Sequence, residues 1–316
     1  MSRFRILVCL VALCAVVVAA LLLAGRPRGA EEYSNRGYEL ARIGKHAEAC
    51  EQFAKAVEVN PSDAGAYLGW SAALGNLGQY AEVCEKCARG VQLNPRETRA
   101  YYNWGLALAK LGKPAEACKK YAKAAEMDPK YPDTYRNWGG ALLGLGRHAE
   151  ACEKYAEAVK MDPRDAVAYC NWSAALTYLG RYEEACEKAE RAVQSRAPYA
   201  GAYYNWGLAL ATMGRPAEAC EKYAKAVELD PQDALAYSNW GVALGSLGRY
   251  AEYCEKCAKA VEINPRFAIA YGNWGLALAR VGKRAEAEEK WAKAVELNPG
   301  LKPQIEEFRK EFLGKE

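Results

Sequence analysis

Residues 234–265 read ALAYSNWGVALGSLGRYAEYCEKCAKAVEINP and contain the pattern of two short helices. In the first half, the positions i, i+3, i+4 and i+7 are occupied by Tyr237, Trp240, Gly241 and Leu244. This spacing predicts one stripe of a helix with about 3.6 residues per turn. Gly248 is placed to end that helix in a left-handed conformation. The second stripe comprises Tyr253, Cys257, Ala260 and Val261, and the helix that it predicts ends before Pro265.

The same pattern recurs along the chain with a period of about 34 residues. Prolines in one register are Pro61, Pro95, Pro129, Pro163, Pro231, Pro265 and Pro299. Tryptophans in a second register are Trp70, Trp104, Trp138, Trp172, Trp206, Trp240 and Trp274. A fixed period of this size indicates an array of stacked helix pairs, because a single pair leaves an apolar face uncovered. Such an array favours binding over catalysis.

The order of residues in each period resembles the tetratricopeptide repeat, in which an aromatic, a Leu-Gly pair, a glycine turn, alanines and a late proline follow one another. Tryptophan here replaces the usual leucine before the glycine, and leucine replaces the usual tyrosine three positions later. The resemblance implies an all-α fold, a right-handed α-solenoid in which helix-turn-helix repeats form a superhelix. Eight repeats are expected over residues 31–299, at about 31–63, 64–97, 98–131, 132–165, 166–199, 200–233, 234–267 and 268–299.

The two ends of the array depart from the pattern. Arg36 stands where the other repeats have tryptophan, as expected for a terminal repeat that faces water. The last repeat has Glu288 where its seven predecessors have cysteine. Residues 300–316 are expected to form a C-terminal capping helix that begins near Pro303. Its apolar stripe is Ile305, Phe308 and Phe312, and we expect it to pack on Trp291.

The fifth repeat is irregular, because Ala189 replaces the usual aromatic and Ala197 replaces the usual proline. The register of the repeats continues on both sides of these changes. Neutral drift and a bend between the fifth and sixth repeats are both compatible with this pattern.

Residues 1–30 predict an N-terminal hydrophobic helix that acts as a signal-anchor or transmembrane segment. Within them, residues 6–24 contain no charged side chain. A helix of that length spans about 28 Å, close to the hydrocarbon thickness of a bilayer. We expect a single-span anchor with the array exported to the extracytoplasmic, or periplasmic, side. Secretion after signal cleavage is the alternative.

The charge pattern argues against a nucleic-acid partner, because the net charge of +4 comes from interspersed charges of both signs. Pairs such as Glu221–Lys225 and Glu255–Lys259 are expected to bridge at i,i+4 on the outer face.

Seven of the twelve cysteines share one register: Cys50, Cys84, Cys118, Cys152, Cys186, Cys220 and Cys254. Equivalent positions on packed helices lie about 9–10 Å apart, too far for disulfides. We therefore interpret these cysteines as small buried hydrophobes. The pairs Cys84/Cys87 and Cys254/Cys257 are too far apart along an array to share one zinc ion. No metal and no cofactor is expected.

No catalytic pattern is present in the sequence. A glycine-rich phosphate loop, a nucleophile elbow and a metal-binding histidine pair are all missing. The only two histidines, His46 and His148, fall at the start of second helices and are expected to be exposed loop residues. We therefore predict that the protein is not an enzyme.

The family resemblance implies that the first helices line a groove that binds an extended or helical protein segment. A column of amides at one groove position contains Asn103, Asn137, Asn171, Asn205, Asn239 and Asn273. These amides are expected either to bind the backbone of a peptide or to bond within the repeat. Neighbouring groove positions contain Tyr102, Leu106, Lys110, Arg136, Tyr178, Tyr204 and Leu208. An apolar groove of this kind favours a hydrophobic protein or peptide partner.

Three hypotheses for function follow. The main one is a membrane-tethered scaffold or adaptor that binds a protein segment in its groove. The second is a self-assembling structural protein, in which one array associates with another. The third is a thiol-rich metal or redox protein.

Overall fold

The computed structural model describes residues 29–195, 199–312 and 314. Within these residues the regular elements are all helices. In unit 1, defined below, they are α1 (Ala30–Arg42), α2 (His46–Val59), α3 (Ala64–Asn76), α4 (Tyr80–Leu93), α5 (Thr98–Lys110), α6 (Pro114–Met127) and α7 (Pro132–Gly144). In unit 2 they are α8 (His148–Met161), α9 (Ala166–Tyr178), α10 (Tyr182–Val193), α11 (Ala200–Thr212), α12 (Pro216–Leu229), α13 (Ala234–Ser246), α14 (Tyr250–Ile263), α15 (Ala268–Arg280), α16 (Arg284–Leu297) and α17 (Lys302–Phe312).

The chain divides into two compact units between Leu145 and Gly146. Unit 1 contains α1–α7 and unit 2 contains α8–α17. Inside each unit, every helix packs against the next helix in sequence. Odd-numbered helices up to α15 are the first helices of the repeats, and even-numbered helices up to α16 are the second helices. The consecutive packing confirms the prediction of an all-α array of helix pairs.

Each repeat turns from its first to its second helix at a glycine with a positive φ, between +72° and +85°. These glycines are Gly44, Gly78, Gly112, Gly146, Gly180, Gly214, Gly248 and Gly282. A Cβ atom at any of them would meet nothing within 4 Å. The backbone conformation alone therefore selects glycine at this turn.

Asparagine or aspartate makes the opposite turn, from a second helix to the next first helix. The side-chain oxygen of Asn60 accepts a hydrogen bond from the backbone N–H of Ser62 at 3.1 Å, and Asp230 accepts from Gln232 at 3.0 Å. Proline follows the capping residue and cannot continue the helix. In the fifth repeat this position is Arg196, which lies outside the described residues, as does Ala197.

A second recurring glycine lets an aromatic ring lie directly against a first helix. A Cβ atom on Gly105 would come within 2.6 Å of the Tyr121 ring, and one on Gly207 within 2.8 Å of the Tyr223 ring. Both rings are about 1% exposed and belong to the second helix of the same repeat. The helix pairs therefore close tightly because the facing residue has no side chain.

Two repeats have serine in place of this glycine, and in both the facing ring is absent. Ser71 lies opposite Cys87, and Ser173 lies opposite Ala189. The Ser173 hydroxyl is fully buried and donates a hydrogen bond to the Ala185 carbonyl at 2.7 Å. In the fifth repeat, the loss of the ring at Ala189 on the second helix is therefore accompanied by the change from glycine to Ser173 on the first helix.

The joint between the fifth and sixth repeats also differs in its helix packing. Among the described residues, α9 and α11 contact each other more extensively than any other two successive first helices. The two helices are in contact at Gly201, where a Cβ would lie 3.5 Å from the Cys170 sulfur, an ordinary van der Waals distance. The Asn205 amide donates to the Cys170 backbone carbonyl at 3.0 Å. The bend and neutral drift both remain compatible with this packing.

The predicted capping helix is present as α17. Ile305 is 1% exposed, and the Phe308 ring stacks on Trp291 with centroids 6.2 Å apart. Arg309 donates two hydrogen bonds to the Glu288 carboxylate, at 2.8 and 3.0 Å. Glu288 therefore replaces the recurring cysteine in the one repeat whose second helix contacts the cap.

The surface ion pairs differ from the expected i,i+4 pairs. Lys225 pairs with Glu228 at 2.6 Å, and Lys259 pairs with Glu262 at 2.7 Å, both at i,i+3. The lysines predicted to bind Glu221 and Glu255 thus turn toward the C-terminus of the helix. Such exposed pairs contribute little to the free energy of unfolding.

Among the described residues, the helices are too short or too polar for any of them to cross a bilayer. The proposed anchor at residues 6–24 lies outside the described residues.

Candidate functional site

Successive first helices contact one another within each unit: α1, α3, α5 and α7 in unit 1, and α9, α11, α13 and α15 in unit 2. They therefore form a continuous layer in each unit. We call the solvent-exposed side of this layer the first-helix face. It holds the residues that the sequence predicted for the groove.

The asparagine column bonds between repeats. The Asn137 Nδ2 donates to the Tyr102 hydroxyl at 3.0 Å, and the Asn239 Nδ2 donates to the Tyr204 hydroxyl at 2.9 Å. Asn103, Asn205 and Asn273 donate in the same way to Ser71, Cys170 and Ser238 of the preceding repeat. Asn171 occupies the same register and is half-buried. The amide nitrogen thus holds adjacent first helices together, and these bonds run between repeats, whereas the structural alternative placed them within one repeat.

The groove tyrosines are suited to accept these bonds. Burial, with a smaller contribution from the nearby Asp133, raises the pKa of Tyr102 to about 12. Burial and Asp233 have the same effect on the pKa of Tyr204, also about 12. Both phenols therefore stay neutral at physiological pH, and each can still donate its own proton to a ligand.

Two clefts cross the first-helix face between adjacent first helices. In unit 1 a cleft of about 320 Å³ lies between α3 and α5, lined by Asn76, Asn103, Leu106 and Lys110 among others. In unit 2 the corresponding cleft lies between α11 and α13, where Leu208, Asn239 and Val242 contribute. The predicted groove residues Leu106, Lys110 and Leu208 thus line clefts. Arg136 instead forms an ion pair with Asp133 on its own helix.

Tyr178 is the most exposed large apolar side chain of the described residues, at 70%. Its ring stacks on His148, with centroids 4.7 Å apart and an interplanar angle of 12°. The prediction for the histidines was wrong. His46 and His148 each begin a second helix and are half-buried, with their Nδ1 atoms shielded from solvent.

The sequence pattern did not reveal the partner of the recurring tryptophan. A lysine ammonium lies 3.3–4.6 Å from the ring centroid of six tryptophans. The pairs are Trp70–Lys86, Trp104–Lys120, Trp172–Lys188, Trp206–Lys222, Trp240–Lys256 and Trp274–Lys290. Tryptophan therefore does not simply fill apolar space: it is half-buried and supports a cation–π contact. The constant separation of tryptophan and lysine along the chain was the available signal.

The ten described cysteines carry free thiols. Burial raises the pKa of Cys87 and of Cys170 to about 12. The pKa values of Cys84 and Cys254, the outer members of the two C-x-x-C pairs, are also shifted upward, chiefly by burial. Since the thiolate is the reactive form, these thiols are poor nucleophiles and poor ligands at neutral pH. This environment suits a packing role.

Alkaline pH is expected to lower the free energy of unfolding. The ordinary thiol pKa is 9.0, so an unfolded chain loses these protons above about pH 9, whereas Cys87 and Cys170 keep them up to about pH 12. The contribution of these two thiols to the free energy of unfolding is complete below pH 9 and is lost as the pH rises through 12. Urea denaturation at about pH 8 and about pH 10 measures the loss. Cys170→Ala should reduce the difference between the two pH values, and an unchanged difference would contradict this assignment.

The fold and the first-helix face define a class of helical repeat proteins. Three family models described as tetratricopeptide repeat match residues 30–63, residues 200–233 and the overlapping ranges 88–132, 102–166 and 136–201. The chain belongs to the tetratricopeptide repeat family. The search of curated proteins gave no match.

Several solved structures share the fold. The APC/C hetero-tetramer Cut9-Hcn1 aligns with a TM-score of 0.64 at 16% identity, over 85% of this chain and 52% of that chain. The chain thus spans about half the length of that relative. The pilF protein of Pseudomonas aeruginosa aligns with a TM-score of 0.60 at 24% identity, over 69% of this chain and 100% of that chain. A tetratricopeptide repeat protein of Parabacteroides merdae aligns with a TM-score of 0.61 at 14% identity, over 79% of this chain and 99% of that chain. Identities this low establish the fold alone.

Proposed function

We propose that the protein is a scaffold or adaptor whose first-helix face binds a segment of another protein. The observation that carries this proposal is the recurrence of clefts between adjacent first helices in both units, lined by aliphatic residues beside amides. An apolar cleft with a few polar groups is the usual form of a peptide-binding surface. Membership of a family whose members bind proteins supports the same conclusion.

The asparagine column has a supporting part in this proposal. Because the amide nitrogens bond to the preceding repeat, the amide oxygens are the atoms that can accept backbone N–H groups from a ligand. Replacing these asparagines would also loosen the contacts between repeats, so their loss would not separate binding from stability. Leu106 and Leu208 are better probes, because both line clefts and neither makes a polar bond.

The test uses Leu106→Glu and Leu208→Glu in the full chain. Each charge should weaken capture of the partner about tenfold or more, since a carboxylate in the cleft must be desolvated when the ligand binds. Leu111→Glu and Leu229→Glu are matched controls, because both leucines are more than 40% exposed and neither lines either cleft. Equal capture by all four variants would contradict the proposal.

Self-assembly through the ends of the array is the second candidate function. The residues at both ends argue against it. At the C-terminal end, α17 already covers Trp291 and Leu278. At the first repeat, Arg36 pairs with Glu39, and both side chains are more than 60% exposed. A polar end offers little apolar area to a second copy. Sedimentation over a hundredfold concentration range should therefore show a constant mass.

We propose that residues 6–24 tether the array to a membrane. The support is their length without a charge, and the buried, protonated thiols are compatible with an oxidising compartment because they resist oxidation. Full-length protein should remain in membranes after alkaline carbonate extraction, whereas residues 31–316 should be released. Release of both would exclude an anchor, and a mature chain that begins after residue 24 would establish signal cleavage.

A further inference from the structure

The four complete first helices of unit 2 are almost without charge. Helices α9, α11, α13 and α15 each have 13 residues, and Arg280 is the only ionisable base or acid among their side chains apart from tyrosines and Cys170. The second helices between them are rich in both signs of charge. In unit 1 only α3 is uncharged, whereas α5 contains Arg99 and Lys110, and α7 contains Asp133 and Arg136. The lack of charge is therefore a property of the first-helix layer of unit 2.

Most of the exposed side chains of this layer are large and apolar, and the others are Thr212, Ser246 and Arg280. We define the apolar stripe of unit 2 as Val167, Tyr178, Leu235, Val242 and Ile269, which are 42%, 70%, 46%, 42% and 52% exposed. Leu235 and Val242 are about two full turns apart on α13, and Val167 and Tyr178 are about three full turns apart on α9. Such spacing places both members of each pair on one side of their helix. Solvated first helices of this kind normally show polar side chains on that side.

The one cation of the layer is already engaged. The Arg280 guanidinium lies 4.4 Å from the Phe312 ring centroid and 5.9 Å from that of Tyr250. Its Nη2 is 3.4 Å from a carboxylate oxygen of Glu311 on α17. The carboxylates of Asp165 and Asp233 precede α9 and α13, and each accepts a hydrogen bond from its own helix, from the backbone N–H of Ala168 and of Ala236. A charged ligand side chain laid on the apolar stripe would thus lose its hydration and gain little from an opposite charge.

We propose that the first-helix face of unit 2 selects an uncharged, apolar peptide segment of another protein, with Leu235 and Val242 as the residues that determine this specificity. The proposal rests on the proposed function and adds the chemistry of the partner. Charge complementarity supports this specificity, because a helix layer with almost no charged side chains favours an uncharged ligand. The exposed aliphatic side chains of the layer gain the most binding free energy when apolar ligand side chains cover them.

The experiment measures fluorescence anisotropy of three labelled peptides with the full chain held in lipid nanodiscs, which accommodate residues 6–24 without detergent. One peptide contains alanine, valine, leucine and serine. The other two replace two serines with lysine or with glutamate. The uncharged peptide should bind about tenfold more tightly than either charged one. Leu235→Glu combined with Val242→Glu should remove the preference over the lysine peptide and retain the preference over the glutamate peptide, because the new carboxylates attract one and repel the other. Leu229→Glu, on the second helix α12, should preserve both preferences.

The outcomes separate the two proposals. Equal or tighter binding of a charged peptide, still sensitive to Leu208→Glu, overturns the specificity and leaves the proposed function standing. Binding that is insensitive to every variant on the first-helix face overturns both. If Leu235→Glu and Val242→Glu instead abolish a concentration-dependent dimer and no peptide binds, the stripe is covered by a second copy and the proposed specificity is wrong.

Discussion

Replacing Gly275 with alanine is expected to lower the free energy of unfolding by about 2–3 kcal/mol. The new Cβ would overlap the indole ring of Trp291, approaching both Cδ1 and Nε1. Trp291 cannot move aside, because it is fully buried, donates its Nε1–H to the Gly272 carbonyl at 3.1 Å and stacks on Phe308. Urea denaturation followed by circular dichroism measures the change.

Gly272→Ala is the matched control for this prediction. Gly272 lies one turn earlier in the same helix, and a Cβ there would meet nothing within 4 Å. This substitution should be neutral or stabilise the fold by about 0.5–1 kcal/mol, because alanine loses less backbone freedom than glycine in a helix. If both substitutions had the same effect, the close approach of Gly275 to Trp291 would not be a determinant of the repeat.

Introducing tyrosine at Ala189 is expected to destabilise the fifth repeat by about 1–3 kcal/mol. A ring at this position would meet the side chain of Ser173, which is fully buried and bonded to Ala185. Adding Ser173→Gly should recover much of that loss, since the pair would then match Gly105–Tyr121 and Gly207–Tyr223. The expected interaction energy in a double-mutant cycle is about 1–2 kcal/mol.

The second repeat offers a parallel cycle with Ser71→Gly and Cys87→Tyr. Cys87 is fully buried opposite Ser71, so the same coupling is expected there. Strict additivity in both cycles would show that serine and the missing ring are unrelated. Coupling in the second repeat alone would assign the change at Ala189 to the joint with the sixth repeat.

Much of the fold follows from the sequence, because the signals repeat. The turn glycines have positive φ in all eight repeats, as the position of Gly248 in the pattern predicts. The apolar stripe of Ile305 and Phe308 likewise locates the capping helix and its contact with Trp291. Periodic patterns are informative here because each repeat meets the same neighbours.

Features that depend on side-chain direction could not be predicted in the same way. Asn137 and Asn239 were equally compatible with ligand binding and with bonding within the repeat, and only the distances to Tyr102 and Tyr204 reveal the bond between repeats. The lysine over six of the tryptophans lies on a different helix from its tryptophan, so the stripe pattern of one helix does not indicate the contact, and only their constant separation along the chain could have done so. The role of Glu288 could not be predicted either, because it depends on the position of Arg309, which lies on a different helix.

The most direct test of binding at the first-helix face is site-specific photo-crosslinking in native membranes. A benzophenone side chain replaces Leu208, which lines the cleft between α11 and α13, or Leu229, which is exposed on α12. We predict a covalent adduct with a partner protein from position 208 and none from position 229. Adducts from position 229 alone, or equally from both positions, would contradict binding at the first-helix face.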